Sequence, residues 1–348
     1  MFAPSFTITN KILTNIAKIE AAEEVIRHAP LLPLWEKQFK EEAIVRAVYH
    51  GTHIEGNLLH KDEAKDLLQG KEVVGRPRDI QEIINYRKVI EFIDEEAKRK
   101  IDKITEQLIK KLHRIIVEKI LPPEQAGEYR SKQVIVRNSQ TGEVTFRPPS
   151  PLEVPFLMRE FIYWLNHQSQ DNLHPVLKAG IAHHELVRIH PFIDGNGRVA
   201  RVLATLILFL GGYDIRRFFS LEEYYDRDAA AYYENLQKAS SGDLTSWLEY
   251  FTFGAAVEFG RIKEKILKLS RDVKLKERFG GQQIFLTERQ IKIIEYIQSI
   301  GYLQNQSFPD LFPDLSEDTV LRDIQDLIKK GLLKKIGSTK GARYVIAQ

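Results

Sequence analysis

Apolar positions recur along most of this chain at spacings of three and four, the interval at which one face of a helix repeats. Over residues 79–98 the apolar set is Ile80, Ile83, Ile84, Val89, Ile90 and Ile93, and a second helix is expected over 105–120, capped by Thr105 and ended by Pro122-Pro123. Upstream, residues 34–69 read as helical with one interruption. Gly56-Asn57 after Glu55 is a helix stop, Asp62 stands where it can cap a short helix over 63–68, and Gly75-Arg76-Pro77 reads as loop. Downstream, helices are predicted over 154–168, 175–189, 221–238 and 244–269. Residues 199–210 are nearly all apolar and are expected to form the buried central helix of an all-α domain.

The period changes in two places. Val134-Ile135-Val136 and Val144-Thr145-Phe146 flank Asn138-Ser139-Gln140-Thr141-Gly142, a hairpin signal in a helical chain. It is either a working edge or a tolerated surface insertion. From Thr287 onward, helices over 287–300, 307–312 and 316–330 precede two short strands around residues 337–341, the order of a winged helix-turn-helix. A basic run, Lys263, Lys265, Lys268, Arg271, Lys274, Lys276 and Arg278, leads to Gly280-Gly281 and reads as a solvated helix face before a linker. The fold class is therefore mainly α, with a β-hairpin flap and a C-terminal winged helix. The expected division is 1–100 N-terminal helical region, 101–270 core, 271–284 linker and 285–348 winged helix.

Composition narrows this little. The 348 residues suit two or three domains, and 51 Lys+Arg against 48 Asp+Glu leave a formal charge of +3, so any basic surface is local. The tail from Gln282 holds nine Lys+Arg and eight Asp+Glu, yet Lys329, Lys330, Lys334, Lys335, Lys340 and Arg343 gather near its third helix and wing. DNA, a docking protein and a second copy of the chain all remain open as its partner. There is no cysteine, hence no disulfide framework. No signal-like stretch opens the sequence and no apolar run reaches about 20 residues, so a cytoplasmic protein with no membrane partner is expected.

The chemistry concentrates in His190-Pro191-Phe192-Ile193-Asp194-Gly195-Asn196-Gly197-Arg198-Val199-Ala200-Arg201. A Gly-x-Gly turn opening a helix offers main-chain N–H groups and a favourable potential to an anion, and guanidinium forks such as Arg198 and Arg201 match phosphate oxygens. Asp194 is placed to hold Mg²⁺ beside a phosphate, and His190 can take a proton from a hydroxyl near neutral pH. Two other phosphate or metal chemistries fail on spacing. Ala182-His183-His184-Glu185 lacks a second histidine four residues on, where Arg188 stands, and no Walker loop occurs anywhere.

That stretch matches at every defining position the signature His-x-Phe-x-Asp/Glu-Gly-Asn-Gly-Arg-x-x-Arg, and by it the chain resembles the Fic domain family over roughly residues 1–270. The resemblance implies a protein adenylyltransferase that moves AMP from ATP onto a Ser, Thr or Tyr hydroxyl of a target protein. By position, His190 would be the base and Asp194 the Mg²⁺ ligand. Gly195, Asn196, Gly197 and Arg198 would bind phosphates, Arg201 would meet the γ-phosphate, and Tyr232 or Tyr233 would lie near the nucleobase. Val134, Ile135 and Val136 would belong to a target-docking flap after Gly127-Glu128-Tyr129-Arg130. The family's inhibitory motif, Ser/Thr-x-x-x-Glu-Gly/Asn, fits Glu55-Gly56 within an inhibitory helix around 42–56 and makes Glu55 a brake at the ATP site, but Gly51 stands at the Ser/Thr position. The alternatives are a Fic-type enzyme that removes AMP, with Glu55 positioning water, and a nucleotide-sensing regulator that binds DNA.

Overall fold

The computed structural model describes residues 2–29, 33–137, 144–167, 173–213, 218–278, 286–313, 315–337 and 342–347. The chain divides into two compact units, Met1–Lys268 and Leu269–Gln348.

The first unit opens with α1 (Asn10–His28), capped by Thr9 Oγ1 on the Ile12 N–H, and α2 (Pro33–His53), the helix that ends just before Glu55. α3 (Lys61–Leu68) starts two residues earlier than expected. Its N-cap is His60, whose N–H donates to Glu63 Oε2 at 2.7 Å, so Asp62 sits inside the first turn, where its charge still favours the helix N-terminus. α4 (Pro77–Lys98) also begins early, because proline at the first helical position loses no hydrogen bond. α5 (Glu106–Ile116) is capped by Thr105 Oγ1 on the Leu108 N–H.

Strand β1 (Val136–Arg137) pairs antiparallel with β2 (Val144–Phe146), Val136 opposite Phe146. Of the three flap residues only Val136 lies in the ladder. Continuing this register outward would set Val134 against Pro148, which has no N–H to donate, so pairing stops there. The intervening turn, Asn138-Ser139-Gln140-Thr141-Gly142, lies outside the described residues.

Next come α6 (Val154–His167), α7 (Pro175–Ile189) and α8 (Asn196–Leu210). Helix α8 is the core: Val199, Ala200, Leu203, Leu206 and Leu208 are completely buried, and it packs on α7, α4, α5 and α2. Each such valine or leucine side chain contributes about 1.5–3 kcal/mol through burial, enough to fix α8 as a rigid base for whatever its N-terminus holds. The predicted helix over 221–238 is two helices, α9 (Glu222–Arg227) and α10 (Ala229–Ala239). Asp228 breaks them by capping α10 with Oδ1 on the Ala231 N–H, a local bond that competes with helix continuation. Helix α11 (Thr245–Arg278) runs past the expected end at 269, since no glycine or proline follows before Gly280-Gly281, which lie outside the described residues. Among the described residues no helix is long and apolar enough to cross a membrane.

The second unit holds α12 (Glu288–Ile300), capped by a Thr287–Gln290 box, a 3₁₀ turn at Asn305–Ser307, α13 (Phe308–Leu311), α14 (Glu317–Lys329) and the antiparallel strands β3 (Leu333–Ile336) and β4 (Arg343–Ile346). Leu303 adds a bridge to Tyr344, giving the three-helix, small-sheet layout of a winged helix. Ile293, Ile297, Leu303, Phe308, Ile324, Leu327 and Tyr344 share its core. Lys340 lies outside the described residues.

Candidate active site

The loop between α7 and α8 is built by its own side chains. His190 ends α7 in the left-handed conformation (φ 51°, ψ 58°), and Gly195 repeats the move at φ 79° before α8 begins. The first is costly for a non-glycine residue, about 1–3 kcal/mol, so the surroundings must hold it. They do. The Asn196 side chain accepts from the Phe192 N–H at 2.9 Å and donates to the Phe192 carbonyl at 2.8 Å, and the buried Phe192 ring stacks on His113 with centroids 3.8 Å apart. The Asn196 side chain is therefore committed on both its oxygen and its nitrogen to holding the turn.

Two residues that the sequence pattern did not single out hold the loop from outside. Arg130 donates through Nε to the His190 carbonyl at 2.7 Å and through Nη2 to the Pro149 carbonyl at 2.6 Å, while its N–H donates to Pro191, tying the loop to both ends of the hairpin. His113 Nδ1 accepts from the Gly127 N–H at 2.8 Å, so its proton sits on Nε2, which donates to the Asp194 carbonyl at 3.1 Å. No spacing rule marks either residue, because their partners are carbonyls far away in sequence.

His190 Nδ1 lies 3.3 Å from the Val187 carbonyl, so Nδ1–H is the donor and Nε2 is left as a free base. Burial pulls its pKa down to about 4, with nearby Arg130 acting in the same direction and the Val187 hydrogen bond and the Glu55 and Asp194 charges opposing. His113 and His184 are likewise pushed to about 4 by burial. The consequence for stability has a definite sign. These groups titrate lower in the folded than in the unfolded chain, so their contribution is complete above the unfolded value near 6.5 and is lost as pH falls toward about 4. Urea unfolding at pH 5.5 should show a loss on the order of 1 kcal/mol per histidine relative to pH 7.5. An unchanged midpoint would contradict the burial of the neutral rings.

Asp194 faces the start of α8. Its Oδ1 accepts from the Gly195 N–H at 2.6 Å and lies 3.2 Å from Arg198 Nη2, and its Oδ2 accepts from Arg78 Nη2 at 2.7 Å. Burial raises its pKa, but Arg198 and Arg78 outweigh that and keep the carboxylate ionised. Arg198 is buried, with Nη1 3.0 Å from Glu82 Oε1. Arg201, also buried, donates through Nη2 to the Gly51 carbonyl and to Glu55 Oε1, both at 2.9 Å. Burial disfavours its charge, and the Glu55 carboxylate more than compensates, so its pKa is raised. Arg198 Nε and Arg201 Nε and Nη1 find no well-oriented acceptor among the described residues. Buried guanidinium donors without acceptors, gathered at a helix N-terminus, are what an anionic ligand would fill.

Glu55 already occupies part of that space. A Cβ placed on Gly197 would lie 2.3 Å from Glu55 Oε1, so the carboxylate rests against the first turn of α8, and Gly197 is the residue that lets it approach. Gly51 has its own reason: a Cβ there would lie 2.6 Å from the Tyr86 ring, so no serine or threonine fits unless the ring moves.

Tyr232 is fully buried, its hydroxyl 3.1 Å from His183 Nε2, and offers no face to a ligand. Tyr233 is 45% exposed, with its hydroxyl donating to the Ile54 carbonyl at 3.3 Å. His183 and His184 are buried in α7, the latter donating to the Leu236 carbonyl, which accounts for them without zinc. Ile135 of the flap is 41% exposed.

The helical domain presents a glycine-rich anion cradle at the start of its central helix, with the Glu55 carboxylate set against it. The comparisons name the family. Residues 103–208 match the Fic/DOC family. It is 33% identical over 216 residues to the protein adenylyltransferase Fic of Drosophila grimshawi and 35% identical over 216 residues to that of Drosophila yakuba, in both cases across 62% of this chain. The chain spans about two fifths of those relatives' length, 42% and 41%. Among solved structures, a Fic family protein from Desulfovibrio desulfuricans G20 superposes with TM-score 0.66 over 99% of this chain and 98% of that one, at 24% identity. A Fic domain containing signaling protein from Bacteroides thetaiotaomicron gives 0.62 over 76% and 97%, at 27% identity. Fic-1 from C. elegans gives 0.63 over 74% and 73%, at 26% identity.

Proposed function

We propose that this chain transfers AMP from ATP to a hydroxyl side chain of a target protein and that Glu55 restrains the reaction. The observation that carries the reading is the set of unfilled guanidinium donors of Arg198 and Arg201 around the N-terminus of α8, with the neutral His190 at the other end of the same loop. In this reading the main-chain N–H groups at Asn196 and Gly197, that of Gly195 once Asp194 Oδ1 releases it, and the two arginines bind the triphosphate, and Tyr233 is the exposed ring available to the nucleobase. His190 Nε2 takes the proton of the target hydroxyl as its oxygen bonds to the α-phosphorus. The bond from that phosphorus to the β-phosphate bridging oxygen breaks, and pyrophosphate leaves.

The donor set suits Mg²⁺ in part. Asp194 is one hard carboxylate facing the cradle, which matches a cation that is otherwise held by phosphate oxygens and water, and Arg78 would have to release Oδ2. Mg²⁺ bound there would neutralise charge on the phosphates. The exposed Ile135 and the short β1 edge favour a target segment docking as an added strand.

Incubation with ATP labelled at the α-phosphate and Mg²⁺ should label the chain or a lysate protein; ATP labelled at the γ-phosphate should not. If only the γ-label transfers, the reading fails. Release of AMP from a modified protein, lost on Glu55→Gly, would instead assign the removal reaction.

A second activity is favoured by a separate observation in the C-terminal unit. Lys329, Lys334, Lys335 and Arg343 are exposed at the end of α14 and on the hairpin, where a winged helix meets phosphates, although Glu317 and Asp318 are exposed at the start of α14. A salt-dependent shift of a specific DNA fragment would support DNA binding. Its absence at low salt leaves protein docking or self-association.

A further inference from the structure

We propose that His50, His53 and Asp226 form a latch that holds the end of α2 where Glu55 covers the phosphate cradle, and thereby sets the affinity for nucleotide. The inference rests on the reading of the cradle as an ATP site.

Glu55 lies just beyond α2, so its position depends on what fixes the last turns of that helix. Apart from the Arg201 bonds to Glu55 and the Gly51 carbonyl, the side chains next to Glu55 do little of this themselves. Gly51 has no side chain, and the Thr52 hydroxyl is spent within α2, donating to the carbonyls of Val48 and Tyr49. The flanking residues do more. Arg46, His50 and His53 are spaced four and three apart and so share one face of α2. Opposite them, Glu223 and Asp226 are three apart on α9. Arg46 Nη1 lies 2.9 Å from Glu223 Oε2 and 2.8 Å from Glu258 Oε1. Asp226, its side chain 7% exposed, accepts from His50 Nδ1 at 2.7 Å on Oδ2 and from His53 Nδ1 at 2.8 Å on Oδ1. Tyr49 stacks on His53 and meets the edge of His50, keeping both rings in place.

Asp226 is thus a half-buried carboxylate gripped by two imidazoles at the end of α2. Burial raises its pKa and the two hydrogen bonds more than reverse that, so it remains ionised. The clamp is attached to the part of the fold that would feel a nucleotide: α9 leads through Asp228 into α10, where Tyr233 also holds the Ile54 carbonyl. On the far side of Glu55, Arg76 donates to the Gly56 carbonyl and Asn57 to the Asp79 carbonyl and Glu82. The segment 54–56 is therefore strung between two anchors. Releasing the Asp226 anchor raises the fraction of molecules in which Glu55 has left the cradle, and apparent affinity scales with that fraction.

The test is titration calorimetry of the full chain with ATP and Mg²⁺, on a His190→Ala background to prevent turnover. Asp226→Asn keeps the shape of the side chain and removes its charge. It should tighten ATP binding roughly 3- to 30-fold. Glu55→Gly should tighten it at least as much, and the double variant no further than Glu55→Gly alone. Simple loss of packing would weaken ATP binding. Equal or weaker binding in Asp226→Asn, with tighter binding in Glu55→Gly, overturns the latch. No tightening in Glu55→Gly overturns the underlying reading of the cradle instead. Should Asp226→Asn fail to fold, His53→Ala, which removes a ring 47% exposed at its side chain, carries the same expectation and the same refutation.

Discussion

Alanine at His190 is expected to reduce AMP transfer by about 10²–10⁴-fold while leaving ATP affinity within a few-fold of the parent. The split follows from the loop's construction. The phosphate donors come from the other end of the loop and from α8, and the loop's shape is held by Arg130, His113 and Asn196, which grip its carbonyls and the Phe192 main chain. Removing the imidazole therefore removes a base without dismantling the cradle. The same reasoning gives the pH dependence. A pKa held near 4 by burial keeps His190 neutral throughout the physiological range, so the rate should stay level between pH 8 and 6 rather than halving near 6.5. Transfer within threefold of the parent in His190→Ala would remove the base from the mechanism.

Glycine at Glu55 is expected to act in two opposite directions. Activity should rise, by about tenfold or more, because the carboxylate that rests on the first turn of α8 and pairs with Arg201 no longer competes with the triphosphate. Stability without ligand should fall. Arg201 is buried, and Glu55 is its carboxylate partner at 2.9 Å, so its charge loses its main compensation. Breaking a fully buried pair costs about 3–5 kcal/mol, and with Glu55 26% exposed the loss here should be about 1–3 kcal/mol, a drop of several degrees in Tm. ATP should restore more Tm in this variant than in the parent, since its phosphate takes over the carboxylate's place. A variant that is neither more active nor less stable would mean that Glu55 is only a surface charge.

Much of the site could be read from residue order. The signature stretch is continuous, and every residue assigned to the cradle lies within twelve positions, so local turn chemistry and helix spacing suffice to propose an anion site there. The proposed brake was legible only in part. Glu55-Gly56 was visible, but Gly51 broke the expected pattern, and its reason, the Tyr86 ring pressed against it, belongs to another helix. Tyr232 and Tyr233 were interchangeable on sequence. Adjacent helical positions point in different directions, and burial alone separated the ring beneath Arg201 from the one at the surface. The first flap strand begins two residues later than the run Val134-Ile135-Val136 predicts, because β-branched composition says nothing about whether the partner strand has an N–H to give.

What the sequence determined by itself is whatever rests on short-range rules: the helical period, the cap at Thr105, the glycine-rich turn and the residue types of the cradle. What the tertiary structure alone decided is every contact between residues distant in the chain. Arg130 and His113 holding the loop, Glu55 against Gly197, and Asp226 between His50 and His53 are juxtapositions made by helix packing. Their energies depend on burial and on a neighbour's charge, and neither quantity exists until the helices have come together.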